Sequence, residues 1–110
     1  MLNSVSVVGR LVSDIEFKKN KKGQKEGHFT LQVKNPFRSE LGHEFFDTFP
    51  ITAWRGAAEM LNDCAPKGAI MAIRGRLYKE YIQVGDEEYP TIVVMAEVVE
   101  LLDKHFISRM

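Results

Sequence analysis

The sequence predicts a small all-β protein, a barrel of five strands with one short helix between the third and fourth. Apolar and polar residues alternate along several segments, which is the pattern of half-buried strands. A single segment, 56–65, has helical spacing instead, and glycine or proline separates most of the apolar segments. The 110 residues suit one domain, and no repeat or low-complexity stretch indicates a second.

The first predicted strand, Ser4 to Val12, is rich in β-branched residues and carries Gly9 where a strand would bend or bulge. The segment from Lys18 to Gly27 is polar, contains two glycines and has no apolar stripe. We therefore interpret it as an exposed hairpin connection and not as a packed helix.

The second predicted strand has the cleanest alternation, with Phe29, Leu31 and Val33 on one face. A turn region over 35–43 leads to the third strand, which spans 45–54. Pro50 interrupts that strand and has no N–H to donate to a neighbour. It therefore predicts an edge position or a bulge.

The predicted helix over 56–65 is stopped by Pro66 and Gly68. Two further strands, 69–83 and 88–102, are joined across a short turn, and Gly75 marks a bend in the first of them. The order is β-β-β-α-β-β, which is typical of the five-stranded Greek-key barrel called the OB-fold. A ferredoxin-like order would need a helix after the first strand, where the chain has only the polar connection.

Charge is unevenly distributed although the formal net charge is zero. The first 38 residues contain eight basic and three acidic side chains, and the remainder contain seven basic and twelve acidic ones. Neutrality argues against a strongly basic nucleic-acid binder, but the distribution leaves a basic region at one end of the chain. No apolar run is long enough for a membrane span, no signal peptide is seen, and the single Cys64 fits a reducing compartment. We expect a soluble, cytoplasmic protein.

Residues that could support catalysis or hold a metal are scattered. His28, His43 and His105 lie in polar segments, and none has metal-ligand spacing from a carboxylate pair or from Cys64. The sequence also has no nucleophile elbow and no phosphate-binding glycine loop. It therefore predicts no enzyme activity, no metal and no cofactor.

Several short segments follow one another in an order and spacing that a known family shares. They are Asn3, Val8-Gly9-Arg10-Leu11, Phe29 to Phe37, Phe46-Asp47, Ala53-Trp54-Arg55, Lys67-Gly68, Arg74 to Leu77 and Ala96-Glu97. In these segments, from Leu2 to Leu102, the chain resembles the bacterial single-stranded DNA-binding protein family. The resemblance implies an OB-fold that assembles as a homotetramer, with a dimer as the alternative. It also implies sequence-tolerant protection of single-stranded DNA at the nucleoid during replication, recombination or repair.

The family's base-stacking positions fall on Phe37 and Trp54 in this sequence. A third position falls on Thr48, which has no ring, and Phe46 is the candidate replacement. We map the fourth to Tyr81, and Ile82 remains the alternative. Trp54 and Phe37 could instead be ordinary apolar residues of the core or of a barrel mouth.

Stacking platforms beside positive charge are what a sequence-tolerant binder of single strands needs. The predicted phosphate contacts are Arg10, Lys18, Lys34, Arg38, Arg55, Lys67, Arg76 and Lys79. The five lysines between Lys18 and Lys25 are either a phosphate-gripping finger or a solvated hairpin tip. The sequence leaves both interpretations open.

The C-terminus departs from the family pattern, in which a long linker ends in an acidic tip that recruits other proteins. We expect an OB-fold domain over 1–103 and a short extension over 104–110 that is neither long nor acidic. Recruitment through such a tip is therefore not expected, and the chain looks like a compact form. The alternatives are a primosome-type adaptor that works mainly through protein contacts and a small hydrolase on the same scaffold.

Overall fold

The computed structural model describes residues 1–40, 42–64 and 66–102, without the side chains of 38–40, 55 and 62–64. The predicted extension over 104–110 lies outside the described residues. Within them the elements are β1 (Val5–Leu11), β2 (Glu16–Lys19), β3 (Lys25–Glu40), β4 (His43–Trp54), α1 (Arg55–Cys64), β5 (Ile70–Val84) and β6 (Glu87–Leu101).

The strands form a sheet in the order β1-β5-β6-β4-β3-β2, and β1 also pairs with β3. That extra pairing closes β1, β3, β4, β5 and β6 into a five-stranded barrel. β2 is not part of the barrel and pairs with the first residues of β3. The β4–β6 pairing is parallel and the other pairings are antiparallel. The predicted OB-fold, with its one helix before the last two barrel strands, is confirmed.

The polar connection predicted from Lys18 to Gly27 is shorter than expected. Glu16–Lys19 forms β2 and pairs with the start of β3, so only the turn around 20–24 links the two strands. In this turn Oδ1 of Asn20 accepts hydrogen bonds from the backbone N–H groups of Lys22 and Gln24, both at 2.9 Å. A strand of four residues is too short for alternation to reveal it.

The turn region predicted over 35–43 is also largely strand. Asn35 pairs with Phe45 and Ser39 with Glu44, so three residues of β3 bulge out of the ladder between them. Oδ1 of Asn35 accepts a hydrogen bond from the N–H of Phe37 at 3.0 Å. This local bond shapes the bulge and turns Phe37 away from the ladder.

The core lies inside the barrel and is built from the alternating positions that the sequence predicts. Helix α1 packs Ala58 and Leu61 against it. The other buried members are Leu11, Phe29, Leu31, Ile51, Ala53, Met71, Ile73, Val94, Ala96 and Val99. Val98 of β6 is 38% exposed and lies on the outer surface.

Two irregularities expected from the sequence are present. The β5–β6 register shifts between Arg74 and Gly75, and a Cβ on Gly75 would collide with the backbone carbonyl of Met95. Pro50 lies in the part of β4 that pairs with β3 alone, because pairing with β6 begins at Ile51. The missing N–H of Pro50 therefore faces an unpaired side of β4.

Among the described residues, no helix is long and apolar enough to cross a membrane.

Candidate nucleic-acid interface

The outer face of the ribbon formed by β3 and β4 carries the predicted aromatic residues of β4. Because Ile51 and Ala53 point into the core, alternation puts the even-numbered residues from Phe46 to Trp54 on the outside. They pair with the even-numbered residues of β3 from Lys34 back to Glu26. This surface is the one through which OB-folds bind oligonucleotides.

The hairpin of β5 and β6 projects beyond the barrel and folds over one end of this ribbon. Thr52 donates a hydrogen bond from Oγ1 to Oε1 of Glu80 at 3.2 Å, and the Trp54 and Tyr78 rings meet edge to face at 5.7 Å. Thr52 is only 1% exposed although it points away from the core. The ribbon and the hairpin therefore face each other across a gap.

That gap is an open groove of about 450 Å³. Segment 13–16, which leads into β2, forms its third wall. The groove is lined by Ser13, Asp14, Glu16, His28, Phe29, Thr30, Pro50, Ile51, Thr52, Glu80, Ile82, Thr91 and Val93. We call it the ribbon groove.

Trp54 stands beside the ribbon groove and outside the core cluster. Its ring is partly buried against Tyr78, with 70° between the ring planes. The indole Nε1 is buried and has no hydrogen-bond partner among the described residues. Trp54 therefore lies on the outer face of the ribbon and not in the barrel core, and its role in stacking bases stays a prediction.

Phe37 lies at the other end of the ribbon and is 93% exposed. The ladder pair just before it, Asn35 with Phe45, is nine positions along β4 from Trp54, which corresponds to about 30 Å of strand. Phe46 is exposed on the outer face between them, next to the ringless Thr48. The aromatics thus form a row along the ribbon and not a single cluster.

The structure separates the two candidates for the fourth stacking position. Tyr78, Glu80 and Ile82 share one face of β5, and Ile82 lines the ribbon groove. Tyr81 is exposed on the opposite face of that strand. Sequence reasoning did not single out Tyr78, which contacts Trp54. Alternation along β5 could have grouped it with Ile82.

Most of the predicted phosphate contacts are exposed, and several already have partners. Nζ of Lys18 lies 3.3 Å from Oε1 of Glu16, and Nζ of Lys34 lies 2.9 Å from Oε1 of Glu44. Nε of Arg76 lies 3.3 Å from Oε1 of Glu97. Exposed pairs of this kind contribute little to stability, so a phosphate can replace the carboxylate.

The other predicted contacts differ in their surroundings. Arg10 donates a hydrogen bond to the backbone carbonyl of Gly68 at 2.9 Å, and Lys67 and Lys79 are exposed. The side chains of Arg38 and Arg55 lie outside the described ones. Their phosphate contacts stay predictions.

The lysines of the β2–β3 hairpin are not equivalent. Lys21 and Lys22 are exposed at the turn, whereas the Nζ atom of Lys25 lies 4.7 Å from the centroid of the Phe17 ring. Lys25 is therefore engaged in a cation–π contact, and the freely presented charges are at the tip.

Tyr89 adds an aromatic residue near the tip of the β5–β6 hairpin, opposite Ile82. Its hydroxyl donates a hydrogen bond to Oε2 of Glu87, which raises the pKa of Tyr89 above its ordinary value. The phenol therefore keeps its proton to a higher pH than an ordinary tyrosine does. Among residues 1–40, 42–64 and 66–102, no three His, Cys, Asp or Glu side chains are placed to hold a metal ion.

A closed OB-fold with exposed aromatics and cations along its outer ribbon defines a nucleic-acid-binding protein. A family model described as the single-strand binding protein family matches residues 2–102, and the chain belongs to that family. Proteins of this family bind DNA and are not enzymes, which agrees with the absence of enzyme activity predicted from the sequence.

Curated relatives from Gram-positive bacteria carry the same description. Single-stranded DNA-binding protein 1 of Streptococcus pyogenes is 35% identical over 94% of this chain and 81% of the relative. The protein of that name from Lactococcus lactis is 35% identical over 96% of this chain and 71% of the relative.

Two solved structures support the fold. A Plasmodium falciparum SSB in complex with single-stranded DNA superposes with a TM-score of 0.78 at 18% identity, covering 94% of this chain and 96% of the other. A deletion mutant of the single-stranded DNA-binding protein from Thermus aquaticus gives a TM-score of 0.75 at 24% identity, covering 94% and 51%.

Proposed function

We propose that the chain binds single-stranded DNA with little sequence preference along the outer face of the β3–β4 ribbon and the ribbon groove. Its role is to protect the strand during replication, recombination or repair, and its place of action is the nucleoid in the cytoplasm. The observation that carries this proposal is the row of Phe37, Phe46 and Trp54 along one outer surface. Family membership supports it and nothing favours the adaptor alternative.

Stacking supplies the larger share of the affinity in this proposal. Each base stacked on an aromatic ring contributes about 1 to 3 kcal/mol without reading sequence. Charge supplies less, because the chain is neutral overall and three of the predicted cations give up a carboxylate partner to bind phosphate. The phosphate contacts in this proposal are those named from the sequence, with Arg38 and Arg55 included.

The proposal is tested with a labelled oligonucleotide of mixed sequence, presented alone and as a duplex with its complement. Fluorescence anisotropy is the readout. We expect binding at micromolar or lower concentration to the single strand and much weaker binding to the duplex, which hides its base faces. Equal affinity for both forms would show that charge alone drives binding and would contradict the stacking surface.

We also propose that the chain assembles as a homo-oligomer, a tetramer or a dimer. The support is a strip on the outer face of β1, β5 and β6, away from the ribbon, where exposed valines lie beside the charged residues Arg74 and Glu100. Val8 is 55% exposed there and pairs with Ala72 of β5, and Val98 of β6 is 38% exposed and pairs with Arg74 of β5. Valines in this position are expected to pack against a second copy.

Light scattering with the variant Val8→Glu tests the assembly. A charge in the strip should lower the mass of the particle. Val84→Glu is the matched control, because Val84 is equally exposed but lies near the tip of the β5–β6 hairpin. An unchanged mass in Val8→Glu, or an equal drop in both variants, would remove the strip as the interface.

A further inference from the structure

A chain of side-chain contacts joins the β5–β6 hairpin to the ribbon beside the ribbon groove. Nε2 of His28 lies 3.3 Å from Oε1 of Glu26, and Nδ1 of the same ring lies 3.3 Å from Oγ1 of Thr52. Oγ1 of Thr52 lies in turn 3.2 Å from Oε1 of Glu80. Three contacts thus connect four side chains that belong to β3, β4 and β5.

Each of these contacts needs one proton between its two heavy atoms. Ionised carboxylates accept hydrogen bonds and supply no proton, and the hydroxyl of Thr52 supplies one. A neutral imidazole supplies one more, whereas an imidazolium supplies two. A neutral His28 therefore leaves one contact without a proton, and a protonated His28 completes all three.

The contact between ribbon and hairpin depends on this count. When His28 is protonated, its two N–H groups donate to Glu26 and to Thr52, so the hydroxyl proton of Thr52 goes to Glu80. When only Nε2 carries a proton, Nδ1 and Oε1 of Glu80 compete for that hydroxyl proton. When only Nδ1 carries a proton, the lone pair of Nε2 faces the carboxylate of Glu26.

The surroundings of His28 are mostly acidic. The titratable side chains that face it or line the same groove are Glu26 of its own strand, Glu16 and Lys18 of β2, Glu80 of β5, and Asp14. Neither β4 nor β6 adds a titratable side chain to the described residues that line the groove. A positive charge on the ring is therefore attracted on balance, and mild acid is the condition that supplies it, because histidine titrates near neutral pH.

We infer that His28 is a positioning residue for the β5–β6 hairpin, which in its protonated form acts through Thr52 on Glu80 and holds the hairpin over the ribbon groove. Binding of single-stranded DNA then tightens in mild acid, because a groove wall that is already in place costs less to order. This consequence for binding rests on the proposed function. The effect on the hairpin does not.

The first test uses the DNA-free protein. Trp54 reports the position of the hairpin, because its ring contacts Tyr78 of β5. We expect the emission of Trp54 to change between about pH 7.5 and about pH 5.5, a range in which histidine titrates. His28→Gln should abolish that change.

Variants of Thr52 separate positioning from a direct effect of the charge. Thr52→Val keeps nearly the same shape and removes the hydroxyl, so it cuts the chain while His28 still titrates. It should abolish the change in emission, and Thr52→Ser, which keeps a hydroxyl, should retain it. Direct quenching of Trp54 by the charged ring would persist in Thr52→Val and would overturn the inference.

His43→Gln is the matched control, because it removes an exposed histidine from β4, outside the residues that line the groove. It should leave the change in emission intact. Constant emission in the native protein, or an equal loss of the change in His28→Gln and His43→Gln, would overturn the inference.

The second test measures the affinity for oligothymidylate at the same two pH values and at fixed salt. We expect the native protein to bind up to about fivefold more tightly at the lower pH, the effect of one net hydrogen bond, and His28→Gln and Thr52→Val to gain less. Equal gains in the three proteins would overturn the inference. Failure of the native protein to bind at either pH would overturn the proposed function, and the emission of the DNA-free protein would still decide the role of His28.

Discussion

The rings of Trp54 and Tyr78 meet edge to face, with their centroids 5.7 Å apart and 70° between their planes. The contact joins the last residue of β4 to the β5–β6 hairpin. Aromatic pairs of this geometry contribute about 0.5 to 1.5 kcal/mol beyond the area that they bury. The pair therefore holds one wall of the ribbon groove and fixes the orientation of Trp54.

Replacing Tyr78 should disturb both stability and binding. Tyr78→Ala removes the contact with Trp54, so we expect the free energy of unfolding to fall by about 1 kcal/mol and single-stranded DNA to bind more weakly. Because Trp54 is the only tryptophan, its emission should also change in the DNA-free protein. Urea unfolding, fluorescence and anisotropy measure the three effects.

Tyr81→Ala is the matched comparison, since it removes the same ring from the same strand on the opposite face. We expect it to leave the emission of Trp54 unchanged and to weaken DNA binding less. A larger loss of affinity in Tyr81→Ala would support our original mapping of the fourth stacking position to Tyr81. It would also show that the ribbon groove is not where the strand lies.

Phe37 should matter for binding and not for folding. It is 93% exposed, so Phe37→Ala removes little packing, and the free energy of unfolding should stay within about 0.5 kcal/mol of the native value. The free energy of DNA binding should fall by about 1 to 3 kcal/mol for all sequences alike. Phe37→Tyr keeps a ring and should keep the affinity. If Phe37→Ala lowered the free energy of unfolding without weakening DNA binding, Phe37 would have a structural role and not a binding role.

The exposed lysines at the tip of the β2–β3 hairpin should set part of the salt dependence. For single strands, each phosphate contact contributes about 0.7 to the slope of log affinity against log salt. If both Lys21 and Lys22 reach phosphates, replacing both with Ala should reduce the slope by about 1.4.

Lys25→Ala is the comparison, because Lys25 lies over the ring of Phe17. It should cost about 0.5 to 1 kcal/mol of stability and change the slope less. An unchanged slope in the tip variant would identify the segment as a solvated turn.

Much of the barrel could be predicted because its signals are local. The alternation of Phe29 and Leu31, and that of Ile51 and Ala53, puts each of these residues in the core. The bend at Gly75 was predictable as well, since a glycine within a strand marks a close backbone approach.

The remaining features of the fold and the site depend on long-range geometry. Trp54 contacts Tyr78 because the β5–β6 hairpin lies over the ribbon. The spacing of residues within either strand does not reveal how the hairpin and the ribbon are placed relative to each other. The bulge at Phe37 depends on an Asn35 hydrogen bond and on a register with β4 that local patterns do not give. The acidity of the ribbon groove comes from carboxylates that are far apart in the sequence, such as those of Asp14 and Glu80.

The most direct test of the central claim is the fluorescence of Trp54 during titration with oligothymidylate. If bases stack on the ribbon beside this ring, the emission should be strongly quenched, with saturation at micromolar or lower oligonucleotide concentration. Quenching should be absent with the duplex form of the same strand. Unchanged emission up to high oligonucleotide concentration, in a protein shown to be folded, would contradict the account.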